Sequence, residues 1–213
     1  MTDIFSYEYS GDVLPSISDA PSDPVAFFLQ WFNVALQKDP LNASAMTLAT
    51  INKCGDPDAR IVLLKGCIEE KFIFFTNYNS CKGQQLQSHP HAALVFYWPQ
   101  LCRQVRVEGY VSKVSPDLSD SYFNSRPDES KVSSIVSPQS SSIPDRKWLI
   151  DRWHALKNEM GYGMVLQRPE YWGGYQLSPK KVEFWQGQPF RLNDRLLYLR
   201  DNNDQWKIER LAP

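Results

Sequence analysis

The sequence has few of the residues that bind metals or form disulfides. It contains four cysteines, Cys54, Cys67, Cys81 and Cys102, with no CxxC spacing, and only three histidines. This composition argues against a structural zinc site and favours free thiols in a reducing compartment. We therefore predict that the protein binds no metal.

Long hydrophobic runs and an excess of charge of one sign are also missing. No apolar run approaches the length of about 18 residues that a membrane-spanning helix needs, and no signal-peptide pattern opens the chain. The formal net charge is -1, so nothing global attracts nucleic acid or an anionic membrane. We expect a soluble, cytoplasmic protein without a nucleic-acid or membrane partner, in which any anion site is built locally.

The chain has enough apolar material for one sizeable core. Of its 213 residues, 42% are hydrophobic and 13% aromatic, which suits a single domain. Residues 1–22 are rich in Ser, Asp, Pro and Tyr without periodicity, and we predict a flexible N-terminal arm there. The domain, residues 23–213, begins with Asp23 and Pro24, which predict the start of an amphipathic helix that ends near Asp39.

Strand-like segments with short turns dominate the rest of the chain. We predict strands at residues 45–51, 60–67, 72–77, 92–98, 102–114, 171–177, 182–185, 196–200 and 205–211. Helices are predicted at residues 81–88, 115–125 and 128–136, and from residue 144. This pattern predicts a mostly β protein with helices (α+β), whose antiparallel strands close into a barrel.

One stretch near the C-terminus carries a row of hydrogen-bond donors. Turn residues at Gln186–Pro189 indicate that a second extended segment follows. Because side chains alternate along a strand, Arg191, Asn193 and Arg195 are predicted to share one face. Two guanidiniums around an amide suit a planar anionic or carbonyl-bearing ligand. The alternative is a surface hairpin whose arginines pair with nearby carboxylates.

Two further groups suit phosphate. Arg60 and Lys65 stand at the two ends of an apolar strand. Because their positions differ by five, we predict that they lie on opposite faces, where each could serve a different ligand. The alternative is that both side chains only extend their charged ends into solvent at the strand ends. Thr76 and Lys82 flank a strand-to-helix junction, where a helix N-terminus favours phosphate. The alternative for this junction is an ordinary helix cap.

A third phosphate-suited group lies in the helical middle of the chain. Tyr122, Arg126 and Ser130 are spaced at successive helical turns, and they would either hold a phosphate or form a solvated helix face. No nucleophile–base triad, carboxylate pair or Walker loop stands out. Several phosphate-suited groups in a neutral protein favour a phosphorylated cofactor or substrate, with the chemistry supplied by the cofactor.

Eight motifs point to a family. In chain order they are RIVLLK (60–65), FFTN (74–77), RQVRVEG (103–109), YFNSRP (122–127), SPQSS (137–141), EFWQG (183–187), RLNDR (191–195) and ERLAP (209–213). With them the chain resembles, over residues 23–213, the pyridoxamine 5'-phosphate oxidase family, flavin-dependent enzymes of vitamin B6 metabolism. The resemblance implies a split β-barrel, a homodimer, and one FMN at each of two subunit-interface sites.

The resemblance also assigns cofactor contacts. Arg60 and Lys82 would bind the FMN phosphate, with Thr76 and Ser140 assisting, and the 60–65 backbone would run along the flavin. The full set that it implies for FMN is Arg60, Ile61, Val62, Leu63, Leu64, Lys65, Phe75, Thr76, Cys81, Lys82, Gln104, Gln139, Ser140, Trp185 and Arg195.

Substrate contacts follow from the same resemblance. The substrate phosphate would lie among Lys65, Tyr122, Arg126 and Ser130. Arg191 would cover the pyridine ring on the side away from the flavin, and Asn193 would hydrogen-bond the substrate. These two would be the catalytic residues. The implied reaction passes a hydride from C4' of pyridoxamine or pyridoxine 5'-phosphate to the flavin, and O2 then becomes H2O2 as pyridoxal 5'-phosphate is released.

Three departures from the family pattern keep other functions open. The family has His where Asn193 stands and Arg where Cys81 stands, and the arm lacks basic residues, so that Tyr7 or Tyr9 would contribute instead. One alternative is an oxidase of the phenazine-biosynthesis type, although a phenazine precursor carries no phosphate. The other is a non-catalytic flavin- or pyridoxal-phosphate-binding protein.

Overall fold

The computed structural model of the protein describes residues 12–160 and 165–213. Its helices are α1 (Pro24–Lys38), α2 (Cys81–Ser88), α3 (Pro116–Ser125), α4 (Asp128–Val136) and α5 (Arg146–Met160). Its strands are β1 (Ala45–Ile51), β2 (Pro57–Leu63), β3 (Gly66–Ile68), β4 (Lys71–Asn77), β5 (His91–Trp98), β6 (Arg103–Lys113), β7 (Trp172–Gln186), β8 (Asp194–Arg200) and β9 (Trp206–Arg210).

The strands form one antiparallel sheet around β7. The order is β2-β1-β5-β6-β7-β4-β3, and β8 also pairs with β7 and carries β9 on its other side. A strand with three partners means that the sheet branches and curls there, as a barrel requires. The predicted antiparallel, mostly β architecture with flanking helices is confirmed.

The core lies between one face of the sheet and α1. Asp23 caps this helix by accepting a hydrogen bond from the Val25 amide at 2.7 Å, with Pro24 at the first helical position, as predicted. Phe28 is fully buried, and its ring lies 4.9 Å from Phe72 and 4.8 Å from Phe96. Each such buried phenylalanine contributes about 1.5–3 kcal/mol through the hydrophobic effect. No helix in the described ranges is both long and apolar enough to span a membrane.

The predicted strands 171–177 and 182–185 are in fact one strand, Trp172–Gln186. Proline lacks the N–H that a strand ladder needs, so it is usually confined to strand edges and bulges. In the structure Pro179 lies opposite Gly109, where the pairing between β6 and β7 shifts register. Such an irregularity leaves a residue without its ladder bond, so proline is tolerated and the strand continues.

The predicted strand 60–67 is instead divided in two. β2 ends at Leu63, and β3 begins at Gly66, whose φ is +154°. Between them the Lys65 amide donates a hydrogen bond to the Ile73 carbonyl at 2.8 Å, so the chain leaves β1 and joins β4. Alternation along one strand therefore does not relate Arg60 to Lys65, and that part of the prediction is wrong.

The described part of the predicted N-terminal arm contacts β8 and β9. Leu14 is buried, and its amide donates to the Asp194 carboxylate at 3.1 Å. Arg210 forms an ion pair with the same carboxylate and also donates to the Leu14 carbonyl. The roles predicted for Tyr7 and Tyr9 fall outside the described residues.

Candidate active site

The Arg60 guanidinium is held in a fixed orientation on β2. It donates to the Thr50 hydroxyl at 2.6 Å, the Leu48 carbonyl at 3.0 Å and the Gln85 side-chain oxygen at 3.1 Å, and it lies 2.5 Å from the Asp58 carboxylate. The hydrogen bond from Gln85, together with the charge of Arg60, lowers the pKa of Asp58. The network presents a preorganised cation beside the start of α2.

A second cation stands at that helix start. Lys82 follows the N-cap Ser80, and its ammonium donates to the Gln139 side-chain oxygen at 3.1 Å. The Thr76 hydroxyl donates to the same oxygen at 3.1 Å. Burial, and then the positive charge of Arg60, lower the pKa of Lys82. Thus Thr76, Lys82 and Gln139 are brought together near Arg60. The resemblance implies Arg60, Thr76 and Lys82 as phosphate contacts and Gln139 as a contact to the flavin ring or ribityl chain.

This cation group, Arg60, Thr76, Lys82 and Gln139, has the chemistry of a phosphate site. Within the described residues Lys82 has no carboxylate partner, although burial and a neighbouring cation both make its charge costly. A phosphate dianion would relieve that cost, and hydroxyl and ammonium donors suit its oxygens. The residues therefore fit the phosphate of FMN.

Most of the other residues that the resemblance assigned nearby have exposed side chains. Cys81, the first residue of α2, is exposed. Ser140 is also exposed, in a left-handed backbone conformation with φ of 72°, and it follows Gln139 in a turn. On β2, Ile61 and Leu63 are 63% and 44% exposed and Val62 is half-buried, whereas Leu64, just after the strand, is buried. The strand thus presents apolar side chains and one sheet edge outward.

Three side chains assigned to the flavin form a cross-strand row. Gln104 on β6 lies directly opposite Trp185 on β7, and Trp185 lies directly opposite Arg195 on β8. Directly opposed residues project from the same face of an antiparallel sheet. This flavin row offers an aromatic surface between an amide and a guanidinium, which suits a flat ring with carbonyl and nitrogen acceptors.

Aromatic rings and an arginine form a third group at the ends of α3 and β4. The Tyr122 ring stacks on Phe75 with centroids 3.9 Å apart. Arg126 lies 4.7 Å above the Trp172 ring and donates to the Ser134 hydroxyl at 2.7 Å. Burial lowers the pKa of Arg126. We call Phe75, Tyr122, Arg126 and Trp172 the substrate group, because the resemblance assigns Tyr122 and Arg126 to the substrate. Stacking holds its cation in place, with N–H donors left for an anion.

Ser130 does not stand where the predicted spacing put it. Pro127 ends the first helix, so Arg126 is the C-cap of α3, whereas Ser130 belongs to α4. The guanidinium contacts Ser134 instead, and the Ser134 hydroxyl donates to the Ser130 carbonyl at 3.0 Å. Sequence reasoning missed Ser134, although its spacing of four from Ser130 in the same helix was available as a signal.

A cavity of about 410 Å³ lies beside the cation and substrate groups. Gln139 from the cation group lines it, as do Ser134 and Trp172 near Arg126, together with Arg146 and Trp153 from α5. Its volume is in the range of small-molecule sites. Adjacent residues of β4, Phe75 and Thr76, also link the two groups through the backbone.

The predicted row of Arg191, Asn193 and Arg195 on one strand face is wrong. Residues 189–191 form a 3-10 turn, in which the Leu192 amide donates back to the Pro189 carbonyl, and β8 begins only at Asp194. The loop is longer than the turn residues indicated, so alternation does not apply before Asp194. The alternative interpretation was that these arginines pair with nearby carboxylates. Arg195 does so, because it forms an ion pair with Glu183.

The loop 187–193 nevertheless presents Arg191 outward. Phe190 and Arg191 have φ of 59° and 61°, and consecutive left-handed residues other than glycine carry strain. The Asn193 side-chain oxygen accepts a hydrogen bond from the Gln188 amide at 3.1 Å and braces the loop. In the described ranges the charged ends of Arg191 and Lys65 make no hydrogen bond or ion pair, so both remain available to a ligand.

Comparison with known proteins identifies the family. A family model described as "Pyridoxamine 5'-phosphate oxidase" matches residues 35–157, and one described as "Pyridoxine 5'-phosphate oxidase C-terminal dimerisation region" matches residues 172–213. This chain belongs to the pyridoxine/pyridoxamine 5'-phosphate oxidase family. The two matches together cover most of the chain, from within α1 to its last residue.

Curated relatives carry the same family name. A pyridoxine/pyridoxamine 5'-phosphate oxidase of Leptospira interrogans is 50% identical over 197 residues, which is 92% of this chain and 92% of that protein. One from Legionella pneumophila (strain Lens) is 48% identical over 203 residues, 95% of this chain and 94% of that protein. The resemblance seen in the motifs is thereby confirmed over nearly the whole oxidase sequence.

Solved structures confirm the split-barrel fold of this oxidase family member. PhzG from Burkholderia lata 383, solved with tetrahydrophenazine-1-carboxylic acid, superposes with a TM-score of 0.88 at 31% identity, covering 96% of this chain and 100% of that one. A pyridoxamine 5'-phosphate oxidase-related, FMN-binding protein from Nostoc punctiforme has a TM-score of 0.69 at 21% identity, over 86% of this chain and 96% of that one.

Proposed function

We propose that the protein is an FMN-dependent oxidase that converts pyridoxamine 5'-phosphate or pyridoxine 5'-phosphate to pyridoxal 5'-phosphate. The observation that carries the proposal is the presence of two separate cation sites, Arg60 with Lys82 and Arg126 with its aromatic neighbours. A phosphorylated cofactor and a phosphorylated substrate need two such sites. The names of relatives that are 48–50% identical support the same activity.

The cofactor would be held at its two ends. Arg60, Lys82 and Thr76 would bind the FMN phosphate, with Ser140 and Gln139 beside them. The flavin row would provide Trp185 against the ring system, and the Gln104 amide and Arg195 guanidinium would donate to its polar edge. The backbone of residues 60–65 would run along the flavin.

The substrate would be oriented by its phosphate and its ring. Lys65, Tyr122, Arg126 and Ser130 would bind the phosphate, with Ser134 holding the Arg126 guanidinium in place. Arg191 would cover the pyridine ring from the side away from the flavin. Asn193 would donate from its amide nitrogen, since its oxygen already braces the loop. Correct placement of C4' is the main requirement for the reaction.

The reaction balances with oxygen as the acceptor. When bound, FMN would accept a hydride from C4' and pass two electrons to O2, which is released as H2O2. Pyridoxine 5'-phosphate loses the hydride and the hydroxyl proton and becomes the aldehyde directly. Pyridoxamine 5'-phosphate becomes an imine, which water hydrolyses to the aldehyde and ammonia.

A homodimer with FMN at the subunit interface would complete the site. The match to a dimerisation region over residues 172–213 supports the dimer. The exposed Ile61 and Leu63 on β2 support an interface next to Arg60, because contiguous exposed apolar side chains mark association surfaces.

A second candidate is oxidation of a reduced phenazine precursor, which the likeness to PhzG favours. Such a substrate carries a carboxylate and no phosphate, so it would leave Lys65, Tyr122 and Arg126 without a phosphate to bind. The third candidate, a binding protein without turnover, rests on Asn193 and Cys81 in place of the family His and Arg.

Turnover with matched substrates tests the proposal. Purified protein with saturating FMN is given pyridoxamine 5'-phosphate or pyridoxamine, which differ only in the phosphate, and pyridoxal products and H2O2 are measured. We expect equal amounts of aldehyde and peroxide from the phosphate ester and a far lower kcat/KM for pyridoxamine. Absence of product from the ester would refute the proposal, and oxidation of a reduced phenazine carboxylate would then support the second candidate.

A further inference from the structure

We propose that Glu183 is a positioning residue that holds Arg195 in the orientation needed to bind FMN. The inference rests on the proposed function, because FMN is the ligand that Arg195 would contact. It concerns a residue outside the set that the family resemblance assigned to cofactor or substrate.

Glu183 is an unusual buried carboxylate. In the described parts of the chain it is the only Asp, Glu, Lys or Arg that is buried, with 4% of its surface exposed. Burying a carboxylate is costly unless it is paired and hydrogen-bonded. Its partners are the arginines on either side of β7: Arg195 on β8, with Nε at 3.0 Å and Nη2 at 2.9 Å from Oε1, and Arg106 on β6, at 3.4 Å from Oε2.

The pairing fixes which donors of Arg195 a ligand can reach. A guanidinium has five N–H groups in a rigid plane. One on Nε and one on Nη2 face Glu183, and one on Nη1 donates to the Ala212 carbonyl at 2.8 Å. The contacts in the described structure leave one N–H on Nη1 and one on Nη2 for a ligand. Because the side of the guanidinium is held by Glu183, these two donors have a defined direction.

Glu183 also lies beside the flavin row in the sheet. It precedes Trp185 by two residues on the same face of β7, so it lies next to the flavin row of Gln104, Trp185 and Arg195. Glu108 extends the charge network on the far side of Arg106, where it pairs with Arg106 and Lys181. Glu108 does not contact Arg195, so it serves as a matched control.

The test is a double-mutant cycle read by FMN affinity rather than by turnover. Apo protein is titrated with FMN and quenching of flavin fluorescence gives the dissociation constant for Glu183→Gln, Arg195→Met, the double variant and Glu108→Gln. Thermal unfolding of each variant is recorded in parallel. Removal of a charge-assisted hydrogen bond predicts about a tenfold weaker binding for either single variant.

The double variant decides between positioning and general stabilisation. If Glu183 acts through Arg195, the double variant binds FMN about as weakly as Arg195→Met alone, and Glu108→Gln binds like wild type. Additive losses, or unchanged affinity in Glu183→Gln, would overturn the inference. Should Glu183→Gln unfold, Glu183→Asp completes the same cycle, and we expect it to recover part of the affinity because the charge is kept.

Failure of the proposed function gives a different result. Wild-type protein that binds FMN but leaves pyridoxamine 5'-phosphate unchanged would refute the oxidase, whereas the affinity cycle would still decide the role of Glu183.

Discussion

Replacing Lys82 by Met should weaken FMN binding strongly while leaving the fold intact. Lys82 lies at the start of α2 beside Arg60, and its ammonium contacts only the neutral oxygens of Gln139 and Ser80 in the described structure. Methionine keeps most of the side-chain volume and removes the charge. In the described structure the change leaves no carboxylate without its ion-pair partner. The variant therefore reports on the interaction with the ligand alone.

The expected magnitude follows from the proposed hydrogen bond between the Lys82 ammonium and the FMN phosphate. A hydrogen bond between charged groups contributes about 1.5–3 kcal/mol, so the FMN dissociation constant should rise roughly 10- to 150-fold. The folded protein should not be destabilised. Because burial and Arg60 hold the Lys82 pKa below its usual value of 10.5, the charged lysine opposes folding at neutral pH, and its removal should leave the melting temperature equal or higher.

The pH dependence provides a second, independent readout. A phosphate dianion binds the charged lysine better than the neutral one. In wild type the FMN affinity should therefore fall as pH rises through the lowered pKa of free Lys82, at a pH below 10.5. The Lys82→Met variant lacks this group and should not show that fall. Fluorescence titrations between about pH 7 and pH 10 give the FMN dissociation constant of both proteins. The tyrosines and the other lysines are present in both, so a difference between the two pH profiles comes from Lys82.

Lys71→Met is the matched control. Lys71, the first residue of β4, pairs with Glu69 in the exposed turn before the strand, and its replacement changes the net charge by the same amount. If Lys82→Met and Lys71→Met change FMN affinity equally, the effect is a general electrostatic one, and the assignment of Lys82 to the phosphate site is refuted. An affinity of Lys82→Met within about twofold of wild type would refute it as well, because a charged hydrogen bond contributes more than that.

Three further predictions concern other parts of the protein. Cys81→Arg should add a charge-assisted hydrogen bond at the start of α2 and tighten FMN binding by about 1–3 kcal/mol in the same titration; an unchanged dissociation constant would mean that the site is already compensated. Asn193→His should introduce an inflection at about pH 6.5 in kcat/KM that wild type lacks, and identical profiles would show that this position does not titrate in the reaction. Phe184→Ala should lower the free energy of unfolding by about 3–5 kcal/mol in urea titrations, because the ring is fully buried against Phe27 and Tyr198; a decrease below about 1 kcal/mol would contradict the packing described.

Local chemistry made several elements predictable from the sequence. The start of α1 at Pro24, and the bounds of α2, α3 and α4, follow from cap residues and prolines that act within a few positions of themselves. The same holds for β1, which an apolar run between turn residues delimits. The motifs were also sufficient to indicate the family, because they lie at separate places along the chain and in a fixed order.

The geometry between neighbouring strands could not be predicted from the sequence in the same way. The continuity of β7 through Pro179 depends on a register shift in the neighbouring strand, and the length of loop 187–193 depends on where β7 and β8 stop pairing. Neither property is encoded in the period of a single segment, so the predicted row from Arg191 to Arg195 on one strand face was wrong.

The amino-acid sequence was sufficient to infer the mostly β fold class, the positions of the locally capped helices, the family, and which residue types suit phosphate. Which side chains come into contact could be read only from the folded structure. It paired Arg126 with Ser134, aligned Gln104 with Trp185 and Arg195, and placed the buried Glu183 between two arginines. These contacts join residues on different strands and helices, and their distances are set by sheet register and packing, which depend on the whole chain at once.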